Sequence, residues 1–393
     1  MKLQKIVNRL QKLHPKEIDL SLDRIKNLCR KLGNPQDEIK CIQVCGTNGK
    51  GSTISFLRSI LREANIKCNV YTSPHVKSIN ERFVYNDEMI SDNDLSDLLS
   101  KIEEVNNNQP LTYFEALTAA FFYGCKKYKE NLVIAEFGLF GRGDAVNILK
   151  KNLCNIVTSC SEDHLDWLPE NDRTIERIIF EKTSCLLNSN IVVAKQSSDE
   201  IVEYIKKNIS NNGANKYFFN KNYNFVLKEN NFFYYEDSYG GLKIPKPNLN
   251  GQFQLENAAT AIATLRILED LKIKDQYIID GVQKASNIAR LEEIKSGKLK
   301  NLVKNNRLIL DSSHNPGGAK VLNEYLQTLD CNKHVIVGMM ANKNHEEYIS
   351  YFKDISSLTT VDIPNQPNAI SGKELKEKFK DIPNVTYKES IQK

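Results

Sequence analysis

Apolar positions in the first half of the chain follow two alternating rhythms. Short continuous runs at Cys41–Cys45, Cys68–Tyr71, Leu132–Glu136, Ile156–Ser159 and Ile191–Ala194 read as buried strands. Between them, Ser52–Ala64, Asp92–Val105, Phe114–Tyr128 and Thr174–Leu187 carry apolar residues at helical spacing, as at Ile54, Leu57, Ile60 and Leu61. Strands separated by helices cannot pair as hairpins, so the alternation predicts a mostly parallel sheet with helices on both faces. From Lys216 to about Lys243 the rhythm changes to Tyr217-Phe218-Phe219 and Phe232-Phe233-Tyr234-Tyr235, parted by Asn/Lys turns, which predicts a small antiparallel meander. Leu255–Leu271 and Tyr277–Ala285 return to helix.

A second α/β series is expected from Arg307. Its strands are Leu308–Leu310, Val335–Val337 and Leu358–Val361, alternating with helices near Ala319–Leu329, His345–Phe352 and Gly372–Phe379. The boundary is read near Ser286–Arg290, giving domains 1–286 and 287–393. Two α/β domains meeting at a linker predict a ligand cleft. No internal repeat or low-complexity tail interrupts the pattern.

Composition narrows the class. The 393 residues are 40% hydrophobic and 26% charged, as in ordinary globular proteins. A net charge of +5, with both signs interspersed, suits anionic small substrates and argues against a dedicated nucleic-acid surface. Nine cysteines lie scattered without C-x-x-C pairs, so buried thiols of a reducing cytosol are expected. The amphipathic start MKLQKIVNRLQKLH lacks the continuous apolar stretch of a signal peptide, and no run approaches membrane-spanning length. These features lead us to expect a cytoplasmic monomer with no membrane or nucleic-acid partner.

The candidate chemistry sits at strand ends. Val44-Cys45-Gly46-Thr47-Asn48-Gly49-Lys50-Gly51-Ser52 is a glycine-rich loop with one lysine between a strand and a helix. Such a loop closes backbone N–H groups around phosphate oxygens while the lysine and the helix N-terminus favour an anion. It departs from G-x-x-x-x-G-K-[ST], because Val44 takes the first glycine position and Gly51 parts lysine from hydroxyl. Nucleoside triphosphate binding by Thr47, Asn48, Gly49, Lys50, Gly51 and Ser52 is the functional reading; a ligand-free flexible loop is the alternative. The following strands end in Thr72-Ser73-Pro74-His75, Glu136-Phe137-Gly138-Leu139-Phe140-Gly141-Arg142-Gly143-Asp144 and Ser161-Glu162-Asp163-His164. On one edge of a parallel sheet, Ser73, Glu136 and His164 would converge on the nucleotide and could hold a divalent metal. Taken singly, each reads more readily as a turn serine, a salt-bridged carboxylate or a satisfied histidine.

The series G-T-N-G-K-G-S, T-S-P-H, L-T-Y-F-E, E-F-G-L-F-G-R-G-D-A-V-N, S-E-D-H-L-D-W-L, F-E-K-T, G-Q-F-Q-L-E-N-A-A, A-R-L-E-E-I and D-S-S-H-N-P resembles the folylpolyglutamate/dihydrofolate synthases of the Mur ligase superfamily. The likeness runs from about Asp19 to Pro316. It implies a P-loop N-terminal domain with a small antiparallel sheet, and a smaller Rossmann-like C-terminal α/β domain for glutamate ligation. It implies an ATP-dependent amide ligase joining L-glutamate to dihydropteroate or folates through an acyl phosphate. Two Mg2+ sites follow, with a monovalent cation such as K+ compatible.

By the same resemblance the magnesium ligands fall on Ser73, Glu136 and His164, and Lys182 matches a lysine that relatives carry as a carbamate. Nucleotide contacts extend to Asn257, Arg290 and Asp311; from sequence alone Asn257 is equally a helix N-cap. His314 would lie near the incoming glutamate. Lys50, His164, Lys182 and His314 form the expected catalytic set. Pterin-side candidates are Asp19, Leu20, Ser21, Arg82, Thr112, Phe114, Glu115, Arg142 and Asp144, with Phe114 a stacking partner or a core aromatic. The stretch Asp19-Leu20-Ser21-Leu22-Asp23-Arg24 is similar to one that bacterial bifunctional members use for dihydropteroate. Phe137, Phe140, Gly143 and Thr183-Ser184 depart from the family pattern and bear on pocket shape. A UDP-linked cell-wall precursor ligase and a non-catalytic nucleotide-binding regulator are the competing readings.

Overall fold

The computed structural model describes residues 2–16, 19–229, 231–352, 354–382 and 384–391. The chain divides into two compact units. Met1–Cys160, Glu176–Asn248 and Gln254–Ile288 form the first; Ser161–Ile175, Leu249–Phe253 and Ala289–Lys393 form the second. The sequence reading makes a single cut after residue 286. In the structure the last crossing lies between Ile288 and Ala289, and two shorter segments also join the second unit.

The first unit holds an eight-stranded sheet. Its strands are β1 (Lys40–Cys45), β2 (Cys68–Tyr71), β3 (Phe83–Tyr85), β4 (Glu88–Met89), β5 (Leu132–Glu136), β6 (Cys154–Val157), β7 (Asn190–Val193) and β8 (Lys216–Phe218). The order is β4-β3-β2-β5-β1-β6-β7-β8, parallel throughout except at β3 and β4. β1 lies at the centre between β5 and β6, and five of its six residues are buried. Burial on both faces lets β1 carry Cys41, Ile42, Val44 and Cys45 almost without interruption, the buried Gln43 being the one polar residue between them. The helix Lys50–Glu63 packs Phe56, Leu57, Ile60 and Leu61 inward. Against it lies the helix Asp275–Lys284; a side chain at Gly281 would meet the Ile60 Cα at 2.4 Å.

Two sequence assignments change here. The run read as Ile156–Ser159 starts two residues earlier, at Cys154, and frees Ser159 for the phosphate loop. Tyr217-Phe218-Phe219, read as part of the meander, instead supplies β8, which pairs parallel with β7. The meander is β9 (Tyr223–Glu229), β10 (Phe232–Asp237) and β11 (Gly240–Pro245), all antiparallel. Phe233 and Tyr235 of β10 are buried, as strand alternation requires.

The second unit has its own core of Ala319, Met339, Tyr348, Phe352, Leu358, Leu375 and Phe379. The expected strand at 308–310 does not enter its parallel sheet. It is β13 (Ile309–Leu310), paired antiparallel with β12 (Glu292–Glu293). The sheet is β14 (His334–Val337), β15 (Ser357–Val361) and β16 (Val385–Lys388), parallel in that order. β16 was not anticipated: Val385-Thr386-Tyr387-Lys388 is half exposed and offers no apolar run. All nine cysteines are free, and seven of them are buried.

Candidate active site

The loop after β1 is shaped by what surrounds it. Thr47 N and Asn48 N both donate to the Ser159 carbonyl, at 2.8 and 3.1 Å, which ties the loop to the end of β6. Gly49 caps the helix Lys50–Glu63 at φ +89°, and a Cβ there would stand 2.5 Å from Asn257 Oδ1. Only glycine meets both demands without strain. Asn257 therefore lies against the loop; it sits inside the helix Phe253–Arg266, not at its N-cap, and donates from Nδ2 to Gln254 Oε1 at 3.0 Å. Ser52 Oγ accepts from Asn287 Nδ2 at 3.3 Å.

Lys50 folds back on its own loop. Its Nζ donates to the carbonyls of Gly46 (3.0 Å) and Thr47 (3.2 Å) and lies 3.9 Å from Glu136 Oε1. Glu136, at the buried tip of β5, accepts from the Ser73 backbone N at 3.1 Å. Lys182 reaches the same loop from the helix Ile175–Thr183. Its buried Nζ donates to Leu139 O at 2.7 Å and to Gly46 O at 3.3 Å. Two lysines thus converge on one peptide carbonyl, beside the carboxylate that faces Lys50. Oxygen donors at Ser73 and Glu136 beside a phosphate loop suit magnesium, which keeps several waters and binds through one or two carboxylates plus phosphate. Among the described residues, no group of three or more His, Cys, Asp or Glu side chains could hold a metal by itself.

His164 belongs to the second unit and gathers there with His314 and with residues not singled out from the sequence. Buried Asp163 is the node: Lys343 Nζ is 2.7 Å from Oδ1, while Asn315 Nδ2 (3.0 Å), His314 Nε2 (3.4 Å) and His164 Nε2 (3.7 Å) face Oδ2. Burial alone would raise this carboxyl's pKa. The His314 hydrogen bond and the charges of His164 and Lys343 outweigh it and hold the group well below the usual range. His314 Nδ1 lies 2.9 Å from Ser312 O, so that nitrogen carries a proton. Arg290 Nη1 donates to Ser312 Oγ at 2.5 Å, and Asp311 accepts from Leu291 N (2.9 Å) and Ser313 N (2.8 Å). The expected set thus falls into one group in each unit: Lys50, Ser73, Glu136, Lys182 and Asn257 in the first, His164, Arg290, Asp311 and His314 in the second.

On the candidate pterin side, the Phe114 ring lies against Gly138, where a Cβ would come within 2.8 Å of it. Thr112 and Glu115 form a capping box for the helix Tyr113–Cys125, and Arg24 Nε is 3.0 Å from Glu115 Oε2. Arg24 also reaches Asp19, at 3.4 Å, and Ser21 N donates to Asp19 O at 2.8 Å. Arg82 Nε donates to His75 Nδ1 at 2.9 Å; burial and that guanidinium lower the imidazole pKa. Gly143 is a departure with a physical reason: it has φ +89°, and its Cβ would meet Leu20 O at 3.0 Å. Asp144, expected to bind substrate, is buried, and its oxygens accept from the N–H groups of Gly138, Leu139 and Val146. Its carboxylate holds the strand-end loop in shape. Burial raises its pKa to about 6 against those bonds.

Residues 44–265, more than half of the chain, match the Mur ligase middle domain. The chain belongs to the Mur ligase family. Within the family it is 30% identical over 391 residues to the dihydrofolate synthase/folylpolyglutamate synthase of Haemophilus influenzae, covering 96% of this chain and 86% of that one. The Escherichia coli protein of the same name is 29% identical over 354 residues, 88% of this chain and 78% of the relative. Escherichia coli FolC in complex with DHPP and ADP superposes with a TM-score of 0.87 at 28% identity, over 99% and 89% of the two chains. The bifunctional synthase from Yersinia pestis complexed with AMPPNP and Mn ion gives 0.86 at 28% identity, over 99% and 90%. These relatives are folate ligases by name, which sets aside the cell-wall ligase reading.

Proposed function

We propose that the chain is an ATP-dependent acid–amino-acid ligase that joins L-glutamate to dihydropteroate and extends folate γ-carboxylates. The observation that carries this reading is the loop after β1, with Lys50 beside Glu136 and Lys182 on the Gly46 carbonyl, in a chain matching bifunctional folate synthases over nearly its whole length. A carboxylate resists attack by an amine because its leaving group would be oxide. ATP removes that obstacle by converting it to an acyl phosphate, from which phosphate leaves as the glutamate nitrogen attacks. Magnesium, when bound, neutralises phosphate charge during the transfer.

The residues have separate tasks in this reading. Backbone N–H groups at the start of the helix Lys50–Glu63 hold phosphate oxygens, and Lys50 turns from Gly46 and Thr47 to the terminal phosphoryl group. Ser73 and Glu136 hold one metal ion. His164 and Lys182, the latter as a carbamate, serve a second; carbamylation turns a cation into an anion and retains an N–H for Leu139 O. Asn257, Arg290 and Asp311 contact the nucleotide, and His314 the incoming glutamate. Phe114, Leu20, Thr112, Glu115, Arg82, Asp19 and Ser21 shape the pterin side. The first unit takes the ATP/pteroate role and the second the glutamate role, in a monomeric cytoplasmic enzyme; no described helix is long and apolar enough to cross a membrane. Glutamate-dependent phosphate release from ATP, compared between dihydropteroate and tetrahydrofolate, tests the proposal. No glutamyl amide with either acceptor refutes it.

A further inference from the structure

Arg82 is a half-buried guanidinium that meets no carboxylate. Among the described residues its side chain makes one hydrogen bond, from Nε to His75 Nδ1 at 2.9 Å, and no Asp or Glu stands within ion-pair distance of it. A guanidinium only donates, so His75 Nδ1 presents its lone pair; an imidazole supplies that acceptor but no counter-charge. The neighbouring Glu81 is engaged elsewhere. Its Oε2 accepts from Val76 N at 2.8 Å, and its Oε1 accepts from Lys77 N and Ser78 N, both at 2.9 Å. Those bonds close the turn that follows His75. A partly desolvated cation costs free energy until an anion answers it. With Nε held by the imidazole, the Nη groups remain for the two-pronged contact that a carboxylate accepts.

Its place in the fold indicates which carboxylate. Thr72 N donates to Arg82 O at 3.3 Å and Thr72 Oγ1 to Glu81 O at 3.4 Å, which ties this segment to the end of β2. Tyr71, before Thr72, packs its ring against Phe114 with centroids 6.1 Å apart. Ser73, after it, gives its N–H to Glu136, the carboxylate beside Lys50. Arg82 is thus joined to the residue that separates the aromatic contact from the phosphate-side carboxylate. Its charge also reaches Tyr113, next to Phe114: burial raises that phenol's pKa, and the guanidinium works against the rise. An acceptor acid whose ring lies at Phe114 brings its carboxylate towards a polyphosphate of like charge. A cation at this strand end lowers the repulsion between them.

We propose that Arg82 binds the reacting carboxylate of the acceptor in its ionised form, and that His75 is a positioning residue that fixes the guanidinium through Nε. The proposal rests on the ligase reading above but can fail separately. Calorimetry of the full chain with ADP compares dihydropteroate with its carboxamide, which lacks only the charge at that group. The wild type is expected to bind the acid more tightly. Arg82→Met should cut the acid-to-carboxamide affinity ratio about tenfold, as expected for a charge-assisted contact, and Arg82→Lys should restore part of it. His75→Ala should lower the same ratio about threefold, and His75→Asn, which keeps a side-chain acceptor, should recover part of the loss. A merely structural role for His75 would weaken acid and carboxamide together. Thermal unfolding checks each variant, and Arg82→Gln carries the comparison if Arg82→Met does not fold. Equal affinity of the wild type for acid and carboxamide, or equal weakening of both in the Arg82 variants, overturns the proposal. If the wild type binds neither ligand and forms no glutamyl amide, the ligase reading falls and this proposal with it.

Discussion

Asp144→Asn tests whether that carboxylate shapes the acceptor-side loop. Oδ2 accepts from Gly138 N at 2.8 Å and Leu139 N at 3.1 Å, and Oδ1 accepts from Val146 N at 2.9 Å. An asparagine can direct its single oxygen at only one side of this set. In its better orientation it keeps the first two bonds, now to a neutral acceptor, and sets an NH2 against the Val146 N–H. Losing one buried bond and weakening two amounts to about 3–5 kcal/mol. Removing a buried charge offsets part of this. A pKa raised from 3.8 to about 6 means that the ionised form is disfavoured by ~3 kcal/mol at neutral pH. The net expectation is about 1–2 kcal/mol of destabilisation at pH 7. That is several degrees in Tm for a unit of this size.

The pH dependence gives a sharper readout. Because the folded-state pKa lies above the unfolded one, the native chain retains a proton that the unfolded chain has lost between pH 3.8 and about 6. Asp144's contribution to stability should therefore fall as pH rises through that window, by up to ~3 kcal/mol, and be flat above it. The assay is urea unfolding of the wild type and Asp144→Asn from pH 4 to pH 8, with the difference between them plotted. A difference that stays constant across the window would refute the buried-carboxylate account.

Other outcomes follow from the same geometry. Gly49→Ala puts a Cβ 2.5 Å from Asn257 Oδ1 in a left-handed backbone, so ADP affinity measured by calorimetry should drop at least tenfold while the fold survives. Lys182→Ala should abolish glutamate-dependent phosphate release, and a short carboxylic acid should restore part of it; no rescue at any concentration counts against the carbamate. Lys343→Met leaves buried Asp163 without its 2.7 Å ammonium and should destabilise the second unit by about 3 kcal/mol in urea unfolding. An unchanged midpoint would show that His314 and Asn315 alone satisfy that carboxylate.

Where burial dictates the residues, the sequence was readable. β1, β2 and β5 are buried on both faces, and their runs stop within a residue of the observed strands. The aromatic run that became β8 shares its composition with the meander, and only its pairing partner distinguishes them. β16, an edge strand, carries no apolar run, and half of its residues are exposed. The loop and Glu136 drew attention because motif and strand end coincide, whereas Lys182, on a helix, was singled out only through the family resemblance. Asp163 was passed over although it adjoins His164. Its importance comes from Asn315 and Lys343, which are more than 150 positions away. The surroundings of Asp144 were hidden for a related reason: the three N–H groups that its carboxylate binds are backbone donors, which the sequence does not display.

The Gly46 carbonyl receives protons from both Lys50 and Lys182. While Lys182 is uncarbamylated, departure of Lys50 from this oxygen towards an arriving phosphate leaves the acceptor to Lys182, whose second bond fixes Leu139 at the neck of the neighbouring loop. Nucleotide arrival would in this way be felt by the acceptor pocket through a single peptide group.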